Sequence, residues 1–487
     1  MTRIGTFRAS YLSALACIGS FLFAYDTGII GGVLTLPSFV ADFHTKNNTD
    51  VSSNSTSLLQ AGAFFACFFA WPVTARFGRR RTIMLASLIF CIGAVIQVAP
   101  TRSLAAFYVA RVVSGVGVGI ATVVVPMYTV EMAPREIRGK LGSLFQFFFT
   151  LGVMTSYWVD YGVSKHVAGT KSAQWQIPVG LQLVPGGILG LGMLVTRESV
   201  RWLAIQKRDD EALRSLIWVR GEDAPAVRDE YREIVESIRD EERRTEGYSI
   251  KELWLPINRY RVALIVAIQI GVQLTGNTSL AYYAPQVFTA IGAGSNNLFF
   301  TGFFGVAKVV ACGIFVLFMI ERFGRRLSLL GGAFVMGACM LIVALLVKTH
   351  PPSASGALQP TSAAAVAFIY VEAMAYNMSW GPVPWLYMAE IMPSRIREGA
   401  VAIGTATQWL FNFAFSQITP HAVKNLGWRT FLMFFIFNWA LVAFAFFFIQ
   451  ETKGRSLEEM DAIFEDRPTA THVDTERKNT GVRSAEV

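Results

Sequence analysis

Apolar stretches of about 20 residues recur along the whole chain, and each is long enough to cross the hydrocarbon core of a bilayer as an α-helix. Of the 487 residues, 53% are hydrophobic and 16% are charged, whereas a soluble domain carries about 25% charged residues. The sequence therefore predicts an all-α polytopic membrane protein. The predicted membrane helices lie near residues 11–36, 57–75, 82–100, 105–129, 140–163 and 176–195, and near 262–290, 298–320, 326–348, 362–389, 400–420 and 429–449.

These twelve predicted helices form two sets of six, separated by a polar segment that contains both signs of charge. We expect an N-terminal six-helix bundle over residues 1–195, cytoplasmic linker helices over 196–261, and a C-terminal six-helix bundle over 262–450. The polar tail, 451–487, is expected to be cytoplasmic and largely disordered.

Loops rich in arginine and lysine alternate with loops that contain few of them. This asymmetry, rather than a nucleic-acid partner, accounts for the net charge of +9. It is the positive-inside pattern, so the basic loops and both termini are expected to face the cytoplasm. The basic residues are Arg76, Arg79, Arg80, Arg81, Arg135, Arg138, Lys140, Arg322, Arg325, Arg326, Arg395 and Arg397.

The pentapeptide RFGRR occurs twice, at residues 76–80 and 322–326, each time after the second helix of a set. The pattern Glu-x-x-Pro-x-x-x-Arg begins at Glu131 and again at Glu390, and a Glu follows the last helix of each set. Three repeats in the same order indicate a duplication. Parallel halves of this kind are typical of transporters whose substrate site lies between the halves at mid-membrane.

The charged residues of these repeats allow two interpretations. They could form a solvated rim that only fixes the topology. Their equal spacing in both halves also suits an ion-pair network at the cytoplasmic mouth, which would latch one state of the transport cycle. The residues of this predicted gating network are Arg79, Arg80, Glu131, Arg138, Glu198, Arg201, Arg325, Arg326, Glu390, Arg397 and Glu451.

Further motifs accompany the repeats: Glu198-Ser-x-Arg201-Trp202-Leu203, Tyr282-Tyr283-Ala-Pro285, Trp380-Gly381-Pro382-Val-Pro384-Trp385 and Glu451-Thr452-Lys453-Gly454. Together they resemble the sugar porter family of the major facilitator superfamily over about residues 10 to 460. The segment 174–187 is similar to fungal members, among them quinate and sugar-acid transporters. The resemblance implies two bundles, alternating access, and uptake of a monosaccharide or a related polyol or acid.

Asp26 lies inside the first predicted membrane helix, where a lone carboxylate is costly. Arg111, in the fourth helix, is the expected partner, and opening and closing of the pair could move Asp26 between its protonated and charged forms. A static structural ion pair is the alternative. In proton-coupled sugar porters an Asp matches Asp26, whereas passive facilitators usually carry Asn there. The resemblance therefore favours proton symport.

Recognition of a sugar needs amide groups and an aromatic ring. The resemblance assigns these roles to Gln146, Gln273, Tyr282, Trp385, Gln408 and Asn412, while hydrogen bonding between helices is the alternative for each residue. Thr278, Lys308 and Glu372, which depart from the family pattern, complete the predicted substrate-binding residues.

Two departures from the family pattern bear on the substrate. The seventh helix carries Val272 where the family has its first Gln, and Thr278 where it has Asn. Asn277 is displaced by one residue, or about 100° around a helix, and should not reach the same ligand atom.

Lys308 and Glu372 are additional ionisable residues within membrane helices. They could form a mutual buried ion pair, or Lys308 could attract the carboxylate of a sugar acid such as galacturonate or quinate.

Three functional classes follow: a proton-coupled symporter, a passive hexose facilitator, and a non-transporting sugar sensor. The sequence contains no constellation typical of an enzyme and no metal or cofactor motif; Gly115, Gly117 and Gly119 lie within a membrane helix and serve close packing. The expected partners are a small-molecule substrate, a proton and the lipid bilayer. The plasma membrane is the expected location, with a monomer as the working unit.

Overall fold

The computed structural model describes residues 3–45, 48–132, 135–245, 250–319, 324–351, 359–392 and 396–453. All regular structure in these ranges is helical, and they contain no β-strand. The first half forms α1 (Arg3–Val33), α2 (Pro37–Asp42), α3 (Thr49–Phe77), α4 (Arg79–Val98), α5 (Leu104–Met132), α6 (Arg135–His166), α7 (Ala173–Leu181) and α8 (Leu183–Gly192).

Three linker helices and the second half follow in the same order as in the sequence prediction. The linker helices are α9 (Val200–Ile205), α10 (Asp209–Arg220) and α11 (Pro225–Thr245). The second half forms α12 (Pro256–Leu274), α13 (Asn277–Tyr282), α14 (Ala284–Ala290), α15 (Asn297–Ile314), α16 (Arg325–Thr349), α17 (Pro360–Asn377), α18 (Val383–Glu390), α19 (Arg397–Leu426) and α20 (Arg429–Phe448).

Eight helical segments of the described chain are long and apolar enough to span a membrane. Predicted spans in α6, α12–α14, α17–α18 and α19 do not meet those criteria of length and hydropathy, so the count of twelve stays a prediction. The eight segments are Arg3–Val33, Thr49–Phe77, Arg79–Val98, Leu104–Met132, Ala173–Val195, Asn297–Met319, Arg325–Thr349 and Arg429–Phe448.

Among the helices that the sequence predicts as continuous and the structure interrupts are 262–290 and 362–389. In the first, α12 ends at Leu274 and Gly276 adopts a left-handed conformation, with φ of 88°, before α13 begins. This conformation is readily available to glycine because it has no Cβ. In the second, Pro382 occupies the break between α17 and α18. Broken membrane helices leave backbone groups free beside a cavity or ligand.

The two ends of the molecule differ in how the halves share their hydrophobic cores. We call the end with Gly78 and Gly324 the RFGRR end, and the end where α1 finishes and α3 begins the opposite end. One core at the opposite end combines both halves, with Phe39 and Tyr157 of the first half and Phe288 and Phe304 of the second. Towards the RFGRR end, two further cores form, one largely within each half.

Hydrogen bonds across the seam, the surface along which the two halves meet, are also found at the opposite end. Gln417 on α19 donates to Asn54 Oδ1 at 2.9 Å and to Ser57 Oγ at 2.7 Å, both on α3. Tyr157 on α6 donates its hydroxyl to the carbonyl of Ala281 at 2.7 Å. The halves are therefore closed against each other at the opposite end.

The linker helices pack against the first half. Trp202 on α9 is buried and donates its indole N–H to the carbonyl of Ala75 at 2.9 Å. Arg8 on α1 donates to the carbonyl of Trp218 on α10 at 2.7 Å. These contacts attach the linker to the RFGRR end of the first half, beside the repeated charged motifs.

Candidate functional site

A buried ion pair joins α1 to α5. Arg111 Nη1 lies 2.7 Å from Asp26 Oδ1, and the two side chains are 1% and 0% exposed. Arg111 Nε also donates to the carbonyl of Ser55 on α3 at 2.8 Å. The structure thus brings together the two residues that the sequence predicts as the proton-coupling pair.

This ion pair leaves two polar atoms unused. Asp26 Oδ2 and Arg111 Nη2 are buried and have no hydrogen-bond partner among the described residues. Buried polar atoms are normally satisfied, so atoms without partners indicate a place for water, a proton or a ligand. The pair therefore has the free acceptor that a proton-binding carboxylate needs.

A polar cluster extends from the second half toward α3. The amide of Asn412 on α19 donates to the Tyr282 hydroxyl at 3.3 Å, and Ser416 Oγ donates to Asn412 Oδ1 at 3.4 Å. Gln60 on α3 donates to Ser416 Oγ at 3.4 Å. Two predicted substrate-binding residues, Tyr282 and Asn412, are thus neighbours. The sequence prediction missed Gln60, although an amide within an apolar run was the available signal.

Three other predicted amide residues differ in their surroundings. Gln273 is 1% exposed, and neither its amide oxygen nor its amide nitrogen has a partner in the described structure. Gln408 is half-buried, and its amide oxygen likewise lacks a described partner. Gln146 is half-buried on α6. Because an amide oxygen accepts and an amide nitrogen donates, these groups suit a ligand with several hydroxyls.

Two other predicted substrate-binding residues, Trp385 and Thr278, are less enclosed by the protein. Trp385 on α18 is 37% exposed, whereas Trp380 is fully buried and donates to the carbonyl of Leu329 at 2.9 Å. Thr278 is half-buried within hydrogen-bonding reach of Tyr376. Trp385 therefore keeps an accessible ring, while Trp380 serves helix packing.

Lys308 and Glu372 are both buried and are connected through Asn277. Lys308 Nζ donates to Asn277 Oδ1 at 3.0 Å, and Asn277 Nδ2 donates to Glu372 Oε2 at 3.0 Å. Phe304 and Tyr376 place their rings 5.2 and 5.8 Å from the ammonium. Glu372 Oε1 has no partner among the described residues.

The Asn277 bridge bears on the two interpretations of Lys308 and Glu372 that the sequence allows. Lys308 and Glu372 do not form the direct ion pair that was one sequence-based alternative, because the Asn277 amide lies between them. Asn277 is 0% exposed, and both ends of its amide are occupied within the protein. The ammonium has one hydrogen-bond acceptor in the described structure and so keeps two donors for another anion.

Asp160 on α6 was not identified from the sequence. Its side chain is 0% exposed, and neither carboxyl oxygen has a partner in the described ranges. In the sequence, an acid six residues before the end of α6 at His166 is easily taken for a residue of a solvated helix end. Its apolar neighbours in the segment WVDYG were the signal that it could be buried.

The first RFGRR copy forms a compact charged cluster. Arg79 contacts Glu131 through two nitrogens, with Nε–Oε2 at 3.0 Å and Nη2–Oε1 at 2.9 Å. Glu198 accepts the backbone N–H groups of Arg79 and Arg80 at 2.8 and 3.0 Å. Those N–H groups begin α4 and have no partner inside the helix, so Glu198 satisfies them and complements the helix dipole.

The second copy repeats these contacts. Arg325 Nη2 lies 2.7 Å from Glu390 Oε1, and Glu451 accepts the backbone N–H groups of Arg325 and Arg326 at 2.8 and 3.2 Å. Thr452 donates to Glu390 as Ser199 does to Glu131 in the first half. The duplication thus extends to the hydrogen-bonding geometry.

All of these contacts join elements of the same half or its adjoining linker. The side chains of Arg138 and Arg397 lie outside the described residues, as does the tail beyond Lys453. Arg201 is half-buried on α9 and has partners of its own. The described cluster stabilises each half, and a latch between the halves stays a prediction.

Known proteins are similar to this chain over nearly its whole length. The family model described as "Sugar (and other) transporter" matches residues 12–464. The "Quinate permease" of Emericella nidulans is 34% identical over 481 residues, which cover 95% of this chain and 89% of that protein. The "Probable quinate permease" of Aspergillus clavatus is 35% identical over 482 residues, covering 95% and 88%.

Solved structures with the same fold include the xylose transporter XylE. The proton:xylose symporter XylE bound to 6-bromo-6-deoxy-D-glucose superimposes with a TM-score of 0.77 at 26% identity, covering 94% of this chain and 100% of that one. The inward-open conformation of XylE from E. coli gives a TM-score of 0.77 at 25% identity, covering 93% and 99%. The described helices therefore adopt the fold of the major facilitator superfamily.

Proposed function

The chain belongs to the sugar (and other) transporter family, the sugar porters of the major facilitator superfamily, and we propose that it couples uptake of a sugar acid to proton entry. It is an integral multi-pass membrane protein that transports a small molecule, and it is not an enzyme. The proposed substrate is a polyhydroxylated carboxylic acid such as quinate or galacturonate.

The Asp26–Arg111 pair is the observation that carries proton coupling. A carboxylate that is fully buried with one free oxygen can bind a proton there, and protonation weakens its attraction to the guanidinium. Because Arg111 also holds α3 through the carbonyl of Ser55, a change in the pair is transmitted to a helix at the seam. A proton bound from one side and released to the other would then accompany each substrate molecule.

The unpaired donors and acceptors of the second half support a substrate with both hydroxyls and a carboxylate. Gln273 and Gln408 offer amide atoms without described partners, and Trp385 offers a partly exposed ring. Lys308 supplies the positive charge that an anion requires in a site of low dielectric constant. Relatives named quinate permease at 34% and 35% identity agree with this class of substrate.

In the proposed orientation, the RFGRR end, both termini and the linker helices face the cytoplasm, and the membrane is the plasma membrane. The basic loops of the two halves support this orientation through the positive-inside rule. With this orientation, the closed opposite end faces outward. A single chain contains every residue invoked, so a monomer would suffice as the working unit.

The test is uptake into proteoliposomes that contain the purified full chain. We expect labelled quinate to accumulate when the outside is made acidic, and a protonophore to abolish the accumulation. Asp26→Asn should lose accumulation but keep counterflow exchange, because exchange needs no net proton movement. Asp229→Asn, an exposed neutralisation on α11, is the matched control and should behave like the unaltered chain.

Two results would contradict the proposal separately. Saturable quinate uptake that ignores the pH gradient, in the unaltered chain and in Asp26→Asn alike, would identify a passive facilitator. Uptake of glucose or xylose that neither quinate nor galacturonate inhibits would instead refute the sugar-acid assignment and leave proton coupling standing.

A further inference from the structure

We propose that Asp160 is a second proton-binding residue, which must hold a proton before the two halves can close at the opposite end. Nothing in the mechanism above uses this carboxyl. The inference deepens the proposed transport cycle by adding a proton that controls closure, and it does not depend on which substrate is carried.

The carboxyl occupies a place that the fold has made for it. Asp160 is 0% exposed on α6, and it packs against Gly32 of α1. A Cβ at Gly32 would collide with the Asp160 carboxyl group, so the missing side chain provides the space that the acid fills. The carboxyl is therefore enclosed between two long helices.

Nothing in the described structure compensates a negative charge at this point. Both carboxyl oxygens lack hydrogen-bond donors, and no described basic side chain forms an ion pair with them. The nearby hydroxyls are committed elsewhere: Tyr157 donates to the Ala281 carbonyl and Tyr25 to the Pro178 carbonyl. A buried carboxylate without such partners is costly, whereas the neutral acid is tolerated. In this closed arrangement the group therefore carries a proton.

Other titratable groups on the surrounding helices do not change this conclusion. Arg111, which pairs with Asp26, and Lys308, which bonds to Asn277, form no described ion pair with Asp160, and α7 contains no titratable residue. The groups on the adjoining parts of these helices are Tyr25 and Asp26 on α1, Tyr108 and Arg111 on α5, Tyr157 and Tyr161 on α6, Tyr282 on α13, and Lys308 on α15.

The location of Asp160 connects its proton to the movement of the halves. It lies one helical turn from Tyr157, whose hydrogen bond to Ala281 crosses the seam. Opening the opposite end must break that bond and admit water, which lets the acid ionise. Closing expels the water again, and only the protonated form can be enclosed. Gly32 is six residues beyond Asp26 on α1, so this site lies about 9 Å nearer the opposite end than the central pair.

The experiment is counterflow exchange of whichever substrate the unaltered chain carries, quinate, galacturonate or a neutral sugar. Its concentration and the pH are equal on both sides of the membrane, and the measurement is repeated over a series of pH values. For the unaltered chain we expect exchange to fall at alkaline pH, with a limiting slope of about tenfold per pH unit for one obligatory proton. Asp160→Asn imitates the neutral acid. Asp26→Asn should keep the pH slope while losing accumulation, and adding Asp160→Asn to it should make exchange independent of pH over this range, because neither acid then titrates. A double variant that keeps the slope of Asp26→Asn would overturn the inference.

A spectroscopic measurement covers the case in which Asp160→Asn does not fold. In the Asp26→Asn, Glu372→Gln background, which removes the two other buried carboxyls of the described residues, the infrared carbonyl band of a protonated carboxylic acid should be present at neutral pH. Gly31 packs directly against the Tyr282 carbonyl, so adding Gly31→Trp should hold the opposite end open and remove that band. A band that persists after Gly31→Trp is added, or one absent from the background itself, would refute the inference. Neither outcome affects proton-driven accumulation, which tests the proposed function by itself.

Discussion

Replacing Lys308 with methionine separates a structural charge from one that binds substrate. The substitution leaves the Glu372 carboxylate buried, with the Asn277 amide as its described partner. Two hydrogen bonds of 3.0 Å in series through one amide put the opposite charges about 7 Å apart, where an effective dielectric constant of about 20 gives an attraction of about 2 kcal/mol. We therefore expect Lys308→Met to lower the stability of the detergent-solubilised protein by about that amount.

The double variant Lys308→Met with Glu372→Gln supplies the control. It removes both charges and keeps an amide that can accept from Asn277, so thermal unfolding should return most of the lost stability. Transport should not recover if Lys308 binds the substrate carboxylate. A charged hydrogen bond is worth about 1.5–3 kcal/mol, which predicts that KM for quinate rises by about tenfold to a hundredfold.

The comparison of two substrates makes the result decisive. Uptake of a neutral sugar that the unaltered chain also carries should be little changed in the double variant, because it has no carboxylate to lose a partner. A double variant that transports quinate with an unchanged KM would refute the substrate role and leave Lys308 as a structural residue.

Two further predictions concern groups outside the substrate site. Arg79→Ala should lower the unfolding temperature more than Arg325→Ala, because the first ion pair is less exposed, at 9% and 10% of its side chains against 19% and 30% for the second; equal losses would contradict this. Partial burial acts to raise the pKa of Asp42, but hydrogen bonds from Ser172 and Trp175 outweigh it and hold that pKa below its usual value. A depressed pKa stabilises the folded state above about pH 4 and the effect is lost as pH falls through the folded value. Asp42→Asn should therefore lower the unfolding temperature at neutral pH, and the difference should shrink below about pH 4; a difference that grew with acidity would be the opposite of this expectation.

The fold could be predicted from the sequence because its hydropathy pattern and its repeated motifs extend along nearly the whole chain. Apolar runs are required to cross a bilayer, and a duplicated motif reports a duplicated structure. The Asp26–Arg111 contact was predictable for a related reason: two opposite charges in hydrocarbon each need a partner, and few are available.

Other parts of the site depend on geometry that residue patterns do not contain. The break at Gly276 changes the direction of the helix that carries Asn277, and this directs the amide toward Lys308 and Glu372. Asp160 depends on the glycine opposite it on another helix, a relation between residues far apart in the sequence. Which end of the seam is closed could not be predicted either, because under the proposed alternating-access cycle one sequence must fold into both states.

The shared hydrophobic core at the opposite end has a consequence for how tightly substrate binds from outside. Opening that end must divide one core between two halves, whereas the RFGRR end already contains a core within each half. With the proposed orientation and in the absence of substrate, the outward-accessible form should therefore be the minority. The apparent dissociation constant for substrate binding from outside is the intrinsic constant divided by the fraction of molecules in that form. A substitution that only weakens the shared core would then raise affinity from the outside without touching a single substrate contact.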